Sequence, residues 1–209
     1  MNDFSPTPEI IPTFDSTSEP QLPKSEHPFS EIVRFAIIAL IIVIPIRMFV
    51  AQPFIVSGAS MDDTFENGQY LIVDQLSYYL EAPERGDVVV FRYPKDPSKY
   101  FIKRVIGVPG DTLTIEGNVI TVVNQSHIEG ATLSEPYVDQ MSDNTNLTEV
   151  LGEKEYFVMG DNRDFSSDSR SWGILTEDKI IGRALVRLFP IQKLSLWPGK
   201  YDGETLLVE

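Results

Sequence analysis

The apolar positions of this chain fall into two regimes. From Phe35 to Ile46 no position carries a polar side chain, and this run lies inside a longer apolar stretch from Ile32 to Val50. Beyond residue 52 the apolar residues come in short runs, alternating or continuous, bounded by turn-forming residues. Long runs predict a helix; short runs with a period near two predict strands. The segments "YLIVDQL" (70–76), "DVVVFRY" (87–93), "YFIKRVIGV" (100–108), "DTLTIEGNVITVV" (111–123), "KEYFVMGD" (154–161) and "RALVRLFPI" (183–191) all read as strands. Glu116-Gly117-Asn118 places a hairpin turn inside the fourth, and Pro-Gly and Gly-Asp pairs punctuate the rest. No segment holds a 3.6-residue period long enough for a soluble helix. The pattern predicts a mostly-β domain over 52–209, with a coiled or barrel-like antiparallel sheet, after one N-terminal helix. Residues 127–152 are polar, acidic and aperiodic, and predict an irregular surface insertion. Residues 1–30 hold six prolines, many Ser and Thr and no apolar period, and predict a disordered tail.

The apolar stretch decides what kind of chain this is. At about 1.5 Å per residue, Ile32–Val50 reaches roughly 28 Å, close to the hydrocarbon thickness of a bilayer. A buried core helix would not be flanked by Arg34 and Arg47 or be apolar all round. A cleaved signal peptide would open on a short basic region, not a long acidic one. The reading that remains is a transmembrane anchor over 31–51. Lys24 and Arg34 precede its apolar centre; only Arg47 lies between that centre and Arg85. That asymmetry favours the tail inside and the β domain outside.

Charge and composition remove other classes. The formal net charge is −14, so a nucleic-acid partner is not expected, since phosphate binding needs a basic face. With no cysteine and two histidines, His27 and His127, neither a thiol nucleophile nor a zinc site built on Cys and His is expected.

Candidate chemistry lies in three segments. In "FIVSGASMDDTFENG" (54–68), Ser60 sits between Ala59 and Met61, on a bend containing Gly58. A serine hydroxyl needs a base to become a nucleophile. His27 lies before the anchor and His127 in the irregular insertion, so the candidate base is Lys103. A free lysine is neutral in only about one molecule in 2,500 at pH 7; burial among apolar neighbours such as Phe101, Ile102, Val105 and Ile106 raises that fraction. On spacing alone Lys103 also reads as an outward charge on a strand and Ser60 as a turn serine. The third segment, "GDNRDFSSDSRSWG" (160–173), crowds three Asp, two Arg, an Asn and four Ser into one loop. It reads either as a self-bonded polar loop or as a brace around a catalytic pair.

Taken in order behind an apolar helix, "SGASMDDTF", "FIKRVIGVPGD" and "GDNRDFSSDSR" resemble the bacterial type I signal peptidases (leader peptidases), membrane-bound serine proteases with a serine–lysine dyad. The resemblance spans about 32–190 and implies a signal-peptidase-like β fold. It implies Ser60 as nucleophile, with its backbone N–H in the oxyanion hole, and Lys103 as general base. It also implies Ser166 as the hydroxyl that orients the lysine amine, and Asp161, Asn162, Arg163, Asp168 and Arg170 as the bracing loop, with Asp168 paired to Arg170. The implied partners are signal-peptide-bearing preproteins, cut after small residues at the first and third positions, and membrane lipid, with no cofactor, no metal and no nucleic acid. The implied location is the bacterial plasma (inner) membrane, single-pass, with the catalytic domain on the extracytoplasmic side. Two positions depart from the family pattern. Asp63 replaces the usual proline, and Gly58 supplies no hydroxyl where some members have an oxyanion-stabilising serine. Two other readings stay open: a soluble-type self-cleaving Ser/Lys repressor-like protease, and an inactive membrane-tethered β domain that binds a partner.

Overall fold

The computed structural model describes residues 28–45, 51–138 and 145–208. It divides into two units, one within residues 1–40 and one within 41–209. The predicted tail lies outside the described residues except for its last three. Helix α1 (Pro28–Pro45) is 18 residues long, with Glu31 in its first turn and exposed apolar side chains from Phe35 to Ile44. The expected anchor is described only as far as Pro45; among the described residues no helix is long and apolar enough to cross a membrane.

The rest is mostly antiparallel β, as the short runs predict. The strands are β1 (Ala51–Ile55), β2 (Tyr70–Asp74), β3 (Val88–Tyr93), β4 (Asp96–Gly107), β5 (Thr112–Glu116), β6 (Val119–Val123), β7 (Ala131–Leu133), β8 (Asn146–Val150), β9 (Glu155–Met159), β10 (Leu175–Thr176), β11 (Ile180–Phe189), β12 (Ser195–Leu196) and β13 (Leu207–Val208). A single helical turn, α2 (Ser169–Trp172), follows Asp168, which caps it by accepting from the Arg170 N–H. The turn joining β5 to β6 has Gly117 at φ +58°, a conformation glycine adopts without steric cost.

Two sheets form instead of the expected barrel. The larger has eight strands in the order β1-β2-β11-β3-β4-β9-β10, with β12 paired to β11; the smaller has five, β13-β7-β6-β5-β8. Neither closes among the described residues, so the barrel-like expectation is corrected to two open sheets. Strand β11 supplies curvature, since its register with β2 shifts between Ala184 and Val186 and again between Arg187 and Phe189. Bending of that kind coils a sheet, but a barrel also needs its outer strands to meet, and β1 and β10 do not pair.

The segment 127–152 differs from its expectation too. It contributes β7 and β8 to the smaller sheet and buries Ala131, Leu133, Tyr137 and Leu151. Strand β7 is three residues long, too short to show a period, and β8 is an edge strand whose exposed positions are polar except Val150.

Three apolar clusters hold the domain. One fills the smaller sheet with Leu113, Ile115, Ile120 and Val122 against Phe157 and Met159 of β9. A second gathers Val56, Met61, Phe65, Leu71 and Val88 beneath the bend at Ser60. A third packs Val89, Phe91, Val105, Tyr156 and Val158 around the middle of the larger sheet. Burying each such side chain contributes about 1.5–3 kcal/mol before entropy is counted.

Candidate active site

Strand β4 lies between β3 and β9, with Lys103 opposite Val89 and Arg104 opposite both Val88 and Met159. A residue there has hydrogen-bonded neighbours on both sides, so its backbone is fixed. Ser60 arrives on the turn after β1. Met61 and Phe65 are buried, at 1% and 0% exposure, and the Phe65 N–H donates to the Met61 carbonyl at 2.7 Å. These two anchors hold the bend from below, while Gly58 accommodates it at φ +101°.

The two side chains meet. Lys103 Nζ lies 2.7 Å from Ser60 Oγ and 2.9 Å from the Ile102 carbonyl. The amine is 5.4 Å from the centre of the Phe101 ring, and the residue is 3% exposed. Burial pushes its pKa from 10.5 down to about 8, against the carboxylates of Asp168 and Asp161, which favour the charged form. At pH 7 roughly one such amine in ten is then neutral. The pair opens onto a cleft of about 450 Å³ whose apolar lining includes Phe54, Val56, Leu71, Val90 and Ile102. Tyr100 also lines it, set edge-on to Phe54 at 5.4 Å with the Arg92 guanidinium 5.1 Å from its ring centre. Phe165, 76% exposed, lines the cleft as well.

The segment from Gly160 to Arg170 is fastened at several points. Asp161 receives Arg104 through two bonds, Nε to Oδ1 at 2.8 Å and Nη2 to Oδ2 at 2.6 Å, and both side chains are fully buried. Thr64, four residues after Ser60, donates its hydroxyl to the same carboxylate at 2.6 Å. The Asn162 N–H donates to the Ser60 carbonyl at 3.2 Å. Asp168 pairs with Arg170, accepting from Nε at 2.9 Å and Nη2 at 2.8 Å, and also accepts the Gly160 N–H at 3.1 Å. Arg163 donates from Nε to the Gly160 carbonyl at 3.0 Å and forms a bidentate pair with Glu135. Gly160 itself has no room for a side chain. A Cβ there would sit 2.3 Å from the Ser60 carbonyl oxygen and 2.3 Å from Ser166 Oγ.

One residue takes up another position than the resemblance implies. Ser166 Oγ is enclosed beside Gly160 with no hydrogen-bond partner among the described residues, and the lysine amine donates instead to Ser60 Oγ and the Ile102 carbonyl. The Gly58 N–H donates to Asn67 Oδ1 at 3.1 Å. His127 lies on the turn after β6, where its N–H donates to Asn124 Oδ1. Among the described residues no group of three or more His, Cys, Asp or Glu could hold a metal ion.

Arg104, Thr64, Glu135 and Tyr137 escape the sequence reading. Tyr137 lies with its ring centre 3.9 Å from the Arg104 guanidinium and donates to Glu135 at 3.1 Å. Arg104 carried a signal, standing directly after the candidate base. Glu135 and Tyr137 lay in the segment read as an insertion.

Comparison with known proteins identifies the family. The family described as "Signal peptidase, peptidase S26" matches residues 29–189. A signal peptidase I from Leptolyngbya laminosa is 35% identical over 198 residues, covering 91% of this chain and 93% of its own. A probable signal peptidase I-1 from Synechocystis is 36% identical over 171 residues, 78% of this chain and 84% of that protein. Signal peptidase IB of Staphylococcus aureus is 30% identical over 174 residues, 75% and 87% of the two chains. A crystal structure of a signal peptidase I from Enterococcus faecalis aligns with 49% of this chain and 97% of its own, at 28% identity and a TM-score of 0.42. On the sequence matches, which span most of its length, the chain belongs to the signal peptidase family, peptidase S26.

Proposed function

We propose that this protein is a membrane-tethered serine endopeptidase that removes N-terminal signal peptides from exported preproteins, with Ser60 as nucleophile and Lys103 as general base. Family membership makes it a hydrolase of signal peptides. The observation that carries the mechanism is the 2.7 Å approach of a buried Lys103 amine to the Ser60 hydroxyl. Neutral Lys103 takes the proton from Ser60 Oγ as that oxygen attacks the scissile carbonyl. Backbone N–H groups, that of Ser60 among them, hold the oxyanion. The lysine ammonium gives its proton to the leaving amine, and an acyl-enzyme remains on Ser60. Lys103 then draws a proton from the water that releases the product, and the serine is restored.

The lining of the cleft supports selection of small side chains, since Phe54, Val56, Ile102 and Tyr100 leave apolar and limited space. Anchoring through 31–51 fits the same scheme. A substrate carrying its own apolar segment is confined to the same surface, and shared confinement raises effective concentration. The apolar composition of 32–50 and the distribution of Lys and Arg around it support the anchor, with the β domain on the extracytoplasmic side of a bacterial plasma membrane. Exposed Phe189, Ile191, Leu194, Leu196 and Trp197 add an apolar surface suited to lipid headgroups.

The test uses full-length protein in detergent with a labelled preprotein. Wild type is expected to yield the shortened product, while Ser60→Ala and Lys103→Ala yield none. A Lys103→Ala variant that still cleaves would sink the mechanism.

A further inference from the structure

We infer that Glu135, on the segment after β7 of the smaller sheet, is a positioning residue for the Ser60–Lys103 pair and acts through Arg163; this rests on the reading of that pair given above. The Arg163 guanidinium is fully buried and the Glu135 side chain is 10% exposed. Two N–H groups of Arg163 face the two carboxylate oxygens, one pair at 2.7 Å. The remaining Nε donates to the Gly160 carbonyl at 3.0 Å. Gly160 is the residue that packs directly on the Ser60 carbonyl oxygen, and two residues later Asn162 donates to that same oxygen. Glu135 therefore sets the angle of Arg163, Arg163 sets the Gly160 carbonyl, and the 160–162 turn fixes the serine backbone. Planar bidentate pairs of this kind fix orientation as well as distance. The same segment reaches the other side of the pair, since the Tyr137 ring lies against Arg104, the residue after Lys103.

A buried guanidinium needs a counter-charge whatever its role, so loss of stability alone does not test the inference. The experiment compares full-length Glu135→Gln, Glu135→Asp and the double variant Glu135→Met/Arg163→Met with wild type, measuring kcat and KM on one preprotein and the melting temperature. Ser60→Ala is measured alongside. Glu135→Gln is expected to lower kcat tenfold or more with KM within twofold. Glu135→Asp keeps the charge but withdraws the grip by one methylene, and is expected to fold and lose kcat several-fold. The double variant removes the uncompensated charge, so its melting temperature is expected to recover above that of Glu135→Gln while kcat stays low. A kcat within twofold of wild type in Glu135→Asp, or a kcat that recovers together with the melting temperature in the double variant, overturns the inference. If Glu135→Gln does not fold, those two variants decide it. Cleavage by Ser60→Ala would instead overturn the reading of the site itself.

Discussion

In the smaller sheet the inward positions of β5 and β6 are Leu113, Ile115, Ile120 and Val122, all apolar and at most 1% exposed. In the larger sheet two consecutive residues of β4 are a lysine and an arginine, at 3% and 0% exposure. Such burial is costly for a charge unless it is paired or made neutral. Arg104 is paired, through Asp161. Lys103 has no carboxylate in contact among the described residues; its pKa falls instead. The smaller sheet thus has an apolar interior that supplies stability, while the larger sheet carries buried polar groups that supply geometry. The two meet where Phe157 and Met159 of β9 pack on the smaller sheet's core and where Glu135 and Tyr137 reach Arg163 and Arg104.

The largest effect tests the larger sheet. Ser60→Ala or Lys103→Ala should reduce cleavage by about 10⁴-fold or more, with far-UV circular dichroism unchanged. A residual rate near wild type in either would remove the reason for burying the lysine. The next test is pH. The proposed base, Lys103, must be neutral, so kcat/KM should rise about tenfold per unit up to a midpoint near 8 and then level off. A midpoint near 6.5 would point to an imidazole. The sign for stability follows from the same shift. The unfolded chain keeps the lysine proton up to about 10.5 and the folded chain only to about 8, so Lys103 disfavours folding below pH 8 and ceases to do so as pH rises toward 10.5. Replacing it with methionine should therefore raise the melting temperature at pH 7.

On the smaller sheet the expectation reverses. Leu113→Ala should cost about 2–5 kcal/mol in chemical denaturation and leave kcat of the folded protein within twofold of wild type. A large fall in kcat at unchanged folded fraction would mean the two sheets are more tightly coupled than their composition suggests. The smallest effect concerns selection. Tyr100→Ala enlarges the cleft, and should improve kcat/KM by up to about tenfold for a preprotein with a larger residue at the third position before the cut. No change in the ratio between large and small residues would place selection elsewhere.

The strands were legible because each is a short apolar run, alternating in β5 and β6 and continuous in β3 and β9; β2, β3, β9 and the β5–β6 hairpin all fall within a few residues of their expected bounds. The failures share one cause. Strand pairing across long loops, as between β5 and β8, leaves no local period in a polar edge strand, so 127–152 read as irregular. Arg104 and Asp161 are 57 residues apart and Glu135 and Arg163 are 28 apart, and composition alone cannot say which arginine meets which carboxylate. Ser60 and Lys103, 43 apart, were singled out because three motifs coincide, and from spacing alone each also had an ordinary reading.

Gly160 places a limit on engineering. With its missing side chain 2.3 Å from both the Ser60 carbonyl oxygen and the Ser166 hydroxyl, even a single methyl group would force the turn that carries Ser60 away from the 160–170 loop. A saturation library at this codon, screened for secretion, should return glycine alone, whereas neighbouring Asp164, exposed at the surface, should accept many replacements.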